Sequence, residues 1–85
     1  MNTKQFSPED AKKIGDQIGV DWTQYDLQEF TKGLAVELEH GSHDPQTNVT
    51  NDDPIMTGKI AFAHLKEIRD YYTRLDKMES EAESS

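Results

Sequence analysis

The spacing of the apolar residues constrains this chain more than any other feature of its sequence. Large apolar side chains recur three or four residues apart, which is the period of an α-helix. No segment alternates polar and apolar residues as a half-buried β-strand does. The clearest stripe consists of Leu27, Phe30, Leu34 and Leu38, which fall on one face of a helix. The spacing therefore predicts an all-α fold.

The first helix has a signal at each end. Ser7 is a favoured N-cap residue, and Pro8 after it suits the first helical position, where no backbone N–H is needed. Gly19 supplies the stop, because glycine adopts the left-handed conformation that often ends a helix. These signals predict a short helix over 8–18.

The second helix begins at a pair of acidic residues. Asp26 and Glu29 lie three apart, as in a capping box, and they predict a helix over 27–40 that carries the stripe described above. Val36 lies opposite that stripe. We expect it either to contact another element or to mark an exposed partner-binding position.

The third and fourth helices follow a long polar segment. Asp53 before Pro54 repeats the cap-and-proline signal, and predicts a helix over 54–68. This is the most apolar element, so we expect it to be the central helix. Asp70 can cap a fourth helix over 71–79. Arg69 is not a helix breaker, so the sequence leaves open whether the last two helices are continuous.

Length and composition limit the chain to one lean domain. Of its 85 residues, 33% are hydrophobic and 31% are charged, which suffices for folding only because the hydrophobic residues are periodic. Four short helices joined by capped turns predict a compact orthogonal bundle over residues 6–79. We expect residues 1–5 to be frayed, the polar segment 41–53 to form a long loop, and residues 80–85 to form a disordered acidic tail.

Charge excludes two classes of partner. Seventeen acidic and nine basic side chains give a formal net charge of −8, and the basic residues are scattered along the chain. Nucleic acid and anionic membrane surfaces would repel such a protein. No stretch approaches the roughly 20 apolar residues of a membrane span. Because the chain also lacks cysteine and a secretory signal, we expect a cytoplasmic protein.

In the polar loop, every second residue from 44 to 52 has a side-chain oxygen atom that could bind a cation. This spacing resembles an EF-hand calcium loop, but Val49 and Ile55 stand where that loop requires glycine and glutamate. Two interpretations remain: these side chains satisfy turn and cap backbone groups, or they contact a protein partner. The candidate partner-binding residues are Asp44, Asn48, Thr50 and Asp52.

Two Glu/His pairs suggest an alternative metal site. Glu37 and His40 share one helix face, and His64 and Glu67 share another. Glu-x-x-His is a ligand spacing of helical bundles, although the second pair runs in reverse order and the further glutamates of a di-iron site are missing. A divalent ion such as zinc would accept three or four of these groups. In the competing interpretation His64 is a structural core histidine, hydrogen-bonded within the fold.

No other motif indicates chemistry. The chain has no nucleophile motif, no phosphate-binding glycine loop and no pair of acids placed for glycoside hydrolysis. We therefore expect a protein that is not an enzyme, needs no cofactor and is a monomer or weak homo-oligomer. The leading hypothesis is a protein-interaction or structural module, and the alternative is a protein that binds a divalent metal ion.

Several segments together form a specific signature. They are ELEHG at 37–41, DPQTNVTNDDP at 44–54, TGKIA at 57–61, HL at 64–65 and DYYTRL at 70–75. With this signature the chain resembles, over residues 6–79, a small protein family of bacteria, phages and some large DNA viruses. The resemblance supports one helical domain and carries no assigned activity. It implies that the polar loop has a role, in a phage or viral context.

Overall fold

The fold is all-α, as the apolar spacing predicts. The computed structural model describes residues 6–84, so the predicted frayed segment 1–5 and the last residue of the predicted tail lie outside the described part. Residues 6–84 form four α-helices, a short 3₁₀ turn and no β-strand. None of these helices has both the length and the apolarity that crossing a bilayer requires.

Helix α1, Pro8–Ile18, has the bounds that its capping signals predict. The Ser7 hydroxyl accepts the Asp10 N–H at 3.0 Å, and the Asp10 carboxylate accepts the Ser7 N–H in return. Gly19 ends the helix with φ at 85°, in the left-handed region where glycine is favoured. These contacts are local, which is why the sequence alone is sufficient to predict them.

Helix α2, Leu27–Glu37, is shorter than predicted. The Asp26 carboxylate accepts the Gln28 N–H at 3.1 Å and begins the helix where expected. The predicted last turn is instead a 3₁₀ turn, Leu38–His40, in which the Gly41 N–H donates to the Leu38 carbonyl at 2.9 Å. Helices commonly tighten in this way at the C-terminus, where carbonyls lack i+4 partners.

Helices α3, Pro54–Glu67, and α4, Tyr71–Ser84, are separate. Asp53 caps α3 by accepting the N–H groups of Ile55 and Met56. Helix α3 ends at Glu67, one residue before the predicted end. The next residue, Ile68, has extended backbone with φ −140° and ψ 109°. The connector 68–70 therefore interrupts the helical path and lets α4 turn back onto the domain.

Helix α4 is longer than predicted. The sequence predicts its end at residue 79 and disorder over 80–85, whereas the helix continues to Ser84. Neither glycine nor proline interrupts this segment, and its glutamate and alanine residues are good helix formers. Residues 76–83 are exposed, so this part of α4 adds no buried side chain to the core.

Helix α2, and not α3 as predicted, is the central helix, because α2 packs against each of the other three. The Phe30 ring of α2 lies between Gly15 of α1 and Gly58 of α3. On another side, α4 approaches so closely that a Cβ at Gly33 would overlap the Tyr72 ring. Hydrophobicity predicted α3 to be central, but these close approaches decide the arrangement. The buried apolar core consists of Ala11, Ile14, Val20, Phe30, Leu34, Ala61, Leu65 and Tyr72.

Candidate functional site

The polar loop 41–53 is closed at its base by hydrogen bonds. The N–H groups of Val49 and Thr50 both donate to the His40 carbonyl, at 2.6 and 3.4 Å. Across the loop, the Ser42 N–H and hydroxyl both donate to the Asp52 carboxylate. The polar groups of this long loop thus bond to one another and close it at its base.

Each of the four predicted partner-binding residues takes part in this internal network. Asp44 accepts the Gln46 N–H at 3.0 Å, and Asn48 accepts the Asn51 N–H at 2.8 Å. Thr50 is only 1% exposed, and its hydroxyl accepts the Asp52 N–H at 3.2 Å. These side chains satisfy turn and cap backbone groups, as one of the two sequence interpretations expects, and Thr50 is too buried to meet a partner directly.

The backbone of the loop explains its residue types. Asn51 and Asp52 have φ values of 50° and 64°, and short polar side chains tolerate this left-handed region better than most others. A Cβ at Gly41 would overlap the Asp52 carboxylate, so loop closure requires glycine there. The folded loop leaves Val49 65% exposed. Val49 is thus the apolar side chain that the loop offers to solvent.

A second polar cluster surrounds Glu37, at the C-terminal end of α2. This carboxylate is only 4% exposed. It accepts the Tyr72 hydroxyl of α4 at 2.7 Å. The same oxygen, Oε2, lies 3.4 Å from Nε2 of His64 in α3. The other oxygen, Oε1, lies 3.7 Å from Nε2 of His40 in the 3₁₀ turn. Four elements therefore meet at one buried carboxylate.

Tyr72 is the most deeply buried member of this cluster. Burial, with a smaller contribution from the hydrogen bond to Glu37, raises the pKa of its hydroxyl far above the usual range. The phenol therefore stays protonated and acts as a permanent donor to the carboxylate.

The sequence suggested that His64 lies inside the core, because its neighbours on the helix are apolar. In the structure His64 lies at the edge of the core. Its side chain is 34% exposed, and its ring stacks on Tyr71 at 4.4 Å between ring centroids. Glu67, the fourth group of the alternative metal set, is exposed and is not part of the cluster. In the described chain, no three His, Cys, Asp or Glu side chains are arranged to hold a metal ion.

Glu29 makes a contact between helices that the sequence does not predict. Predicted to complete a capping box with Asp26, it is instead 6% exposed and reaches α4. Its carboxylate oxygens accept the N–H and the hydroxyl of Thr73 at 2.8 and 2.7 Å. The missed signal is a pair of polar residues 44 positions apart in the chain, which no local pattern reveals.

Comparison with known proteins identifies a family without an assigned activity. The family model described as "Protein of unknown function (DUF5661)" matches residues 11–81. No curated protein and no solved structure matches the chain significantly.

Proposed function

We propose that this chain, which belongs to the family described as "Protein of unknown function (DUF5661)", is a non-enzymatic module that presents loop 41–53 to a protein partner. The observation that supports the proposal is the ordered loop with Val49 65% exposed at its surface. The resemblance noted above favours a phage or viral setting, in the cytoplasm of the host.

An ordered loop is suited to binding because its conformational entropy is already lost before a partner arrives. In this loop Asp44, Asn48 and Asp52 are used internally, to fix the backbone. We propose that the contact with a partner is made by Val49 and by the exposed residues 45–47. Binding residues lie disproportionately on loops that a rigid scaffold positions.

Charge indicates the kind of partner. With a net charge of −8, the chain repels nucleic acid and anionic membranes, which favours a protein partner. We propose that the free protein is a monomer or weak homo-oligomer, and that it needs no cofactor for this role.

Quantitative affinity purification from native lysate tests the proposal. Tagged wild type is compared with Val49→Asp, which places a charge on the proposed contact, and with Met78→Asp, which alters an exposed apolar residue of α4. We expect one protein to be enriched by wild type and by Met78→Asp and lost with Val49→Asp. No enriched protein, or enrichment that Val49→Asp leaves unchanged, would contradict the proposal.

Binding of a divalent metal ion is the second candidate function. It is favoured by the position of Glu37, whose carboxylate lies close to the ring nitrogens of His40 and His64. The exposed position of Glu67 weighs against a four-ligand site. The residues that would hold the ion are therefore Glu37, His40 and His64, which would have to rearrange around it, because the described chain does not place these three side chains as ligands.

Thermal unfolding with and without zinc, together with elemental analysis after chelator-free purification, tests this candidate. If it is correct, zinc raises Tm in wild type and in His43→Ala, but not in the double variant His40→Ala/His64→Ala. A protein that contains no metal and shows no Tm change with zinc, iron or manganese would eliminate it.

A further inference from the structure

The apolar stripe of α3 continues in phase into α4. From α3 to α4, apolar residues follow one another at intervals of four, three, four and three, which is the repeat that keeps side chains on one face of a continuous helix. The connector 68–70 contains neither glycine nor proline. Residues 54–84 are thus compatible with a single helix, although the fold breaks them into two. The stripe consists of Ala61, Leu65, Ile68, Tyr72 and Leu75.

One backbone hydrogen bond crosses the connector, from the Tyr71 N–H to the Ile68 carbonyl at 3.1 Å, and the side-chain contacts of residues 68–70 are exposed. Ile68, a member of the stripe, is 43% exposed there. The Arg69 guanidinium lies over the Tyr25 ring at 5.4 Å from its centroid, and the Asp70 carboxylate accepts Nε–H of Arg74 at 2.7 Å. Such solvent-exposed pairs are weak, so the bend is not strongly enforced.

The main contacts of α4 are with α2. The Tyr72 ring packs on Gly33, Thr73 binds Glu29, and Lys32 forms an ion pair with Asp76 at 2.8 Å. None of these contacts requires that α4 belong to the same chain as α2. The ring contacts of His64, in α3, with Tyr71 and Tyr72, in α4, would form equally well if α4 came from a second molecule.

We propose that α4 is exchanged between two copies of this chain. In the exchanged dimer the connector becomes helical, residues 54–84 form one helix, and α4 of each copy packs on α2 of the other. Ile68 then falls on the apolar face of the long helix. Short connectors that can straighten are a known route to such exchange. The proposal uses no residue of loop 41–53, so its failure leaves the proposed function untouched.

Two substitutions at one position test the proposal. Arg69→Ala and Arg69→Pro both remove the contact with Tyr25, but only alanine allows a continuous helix. Proline at 69 would clash with the Leu65 carbonyl of that helix, whereas the extended Ile68 of the bent form is compatible with a following proline. Because proline inside a helix is disfavoured relative to alanine by about 3 kcal/mol, or roughly a hundredfold, the two variants should differ sharply in dimer content.

Light scattering coupled to size-exclusion chromatography measures the dimer from micromolar to millimolar protein. We expect dimer in wild type at high concentration, more in Arg69→Ala, and none in Arg69→Pro, with circular dichroism showing that all three are helical. A dimer that persists in Arg69→Pro, or a wild type and Arg69→Ala that stay monomeric throughout, would overturn the proposal.

Isotope-filtered NMR on a mixture of labelled and unlabelled chains distinguishes exchange from simple association. If α4 is exchanged, the Tyr72 ring of one chain gives a nuclear Overhauser effect to Gly33 of the other. A dimer that lacks this intermolecular signal would also refute the exchange.

Discussion

Among single residues, Glu37 is the most demanding to bury. An ionised carboxylate removed from water costs several kcal/mol unless hydrogen bonds or opposite charges compensate. Tyr72 supplies the short hydrogen bond, while the two imidazoles stand at longer distances on its solvent side. The phenol should therefore be the main stabilising partner of this carboxylate.

Replacing Tyr72 with phenylalanine tests this role. The substitution keeps the ring on Gly33 but removes the donor to Glu37, and a buried group without its partner costs about 1–3 kcal/mol. We expect urea denaturation to show a loss of this size in the free energy of unfolding. Tyr71→Phe, which alters the neighbouring ring that stacks on His64, is the control and should change stability by less than about 0.5 kcal/mol. Equal stability of the two variants would show that Glu37 does not depend on the phenol.

The raised pKa of Tyr72 also makes stability depend on alkaline pH. In the unfolded chain a tyrosine loses its proton near pH 10, whereas the buried phenol keeps it. A group with a raised folded pKa stabilises the fold below its unfolded pKa, and this stabilisation is lost as pH rises above that value. We expect the stability difference between wild type and Tyr72→Phe to be constant up to about pH 9 and to shrink by up to about 1.4 kcal/mol per unit above pH 10. A difference independent of pH up to 11 would contradict this expectation.

At the scale of elements, α4 begins with backbone N–H groups that have no partner within the helix. Glu29 of α2 supplies one acceptor from another element, at the Thr73 N–H, and places a negative charge at the positive end of the α4 dipole. The attachment of α4 to α2 is therefore electrostatic as well as steric.

Replacing Glu29 with alanine should loosen the start of α4. Hydrogen bonds to charged groups contribute about 1.5–3 kcal/mol, so we expect amide exchange at Thr73 to accelerate by about tenfold or more. The core amide of Leu34 should change less. Glu39→Ala removes the same charge at an exposed position, and should leave Thr73 exchange unchanged. If Thr73 stays fully protected in Glu29→Ala, the inter-helix cap has no energetic role.

The net charge of the whole molecule destabilises its compact folded state, because like charges repel one another. A charge of −8 on a small domain repels itself, and the exposed ion pairs Lys12–Asp16 and Arg74–Asp70 compensate little. Salt reduces the Debye length from about 30 Å at 10 mM to about 3 Å at 1 M, which should screen this repulsion.

We therefore expect Tm to rise by a few degrees as the NaCl concentration increases over this range. In a fold stabilised by its surface ion pairs, Tm would fall instead. Calorimetry or circular dichroism measures the change. Glu79→Gln/Glu83→Gln lowers the negative charge at exposed positions of α4 and should show a smaller response. A Tm that falls with salt would mean that the ion pairs outweigh the repulsion.

Residue type and spacing were enough to predict the helical class and most helix boundaries. Ser7, Gly19, Asp26 and Asp53 act on backbone groups within a few residues, so a local pattern suffices to predict their effect. The same holds for the loop, where Asp44 and Asn48 bind N–H groups two and three residues away. Local polar contacts of this kind follow from residue type and spacing.

Helix packing, in contrast, determines which helix is central, how α4 is attached and which side chains contact Glu37. Tyr72 reaches Glu37 across 35 residues, and Glu29 reaches Thr73 across 44. The Tyr72 ring that packs closely on Gly33 is also far from it in the sequence. Such contacts depend on how whole helices pack, and packing is a cooperative property of the core that no short segment encodes.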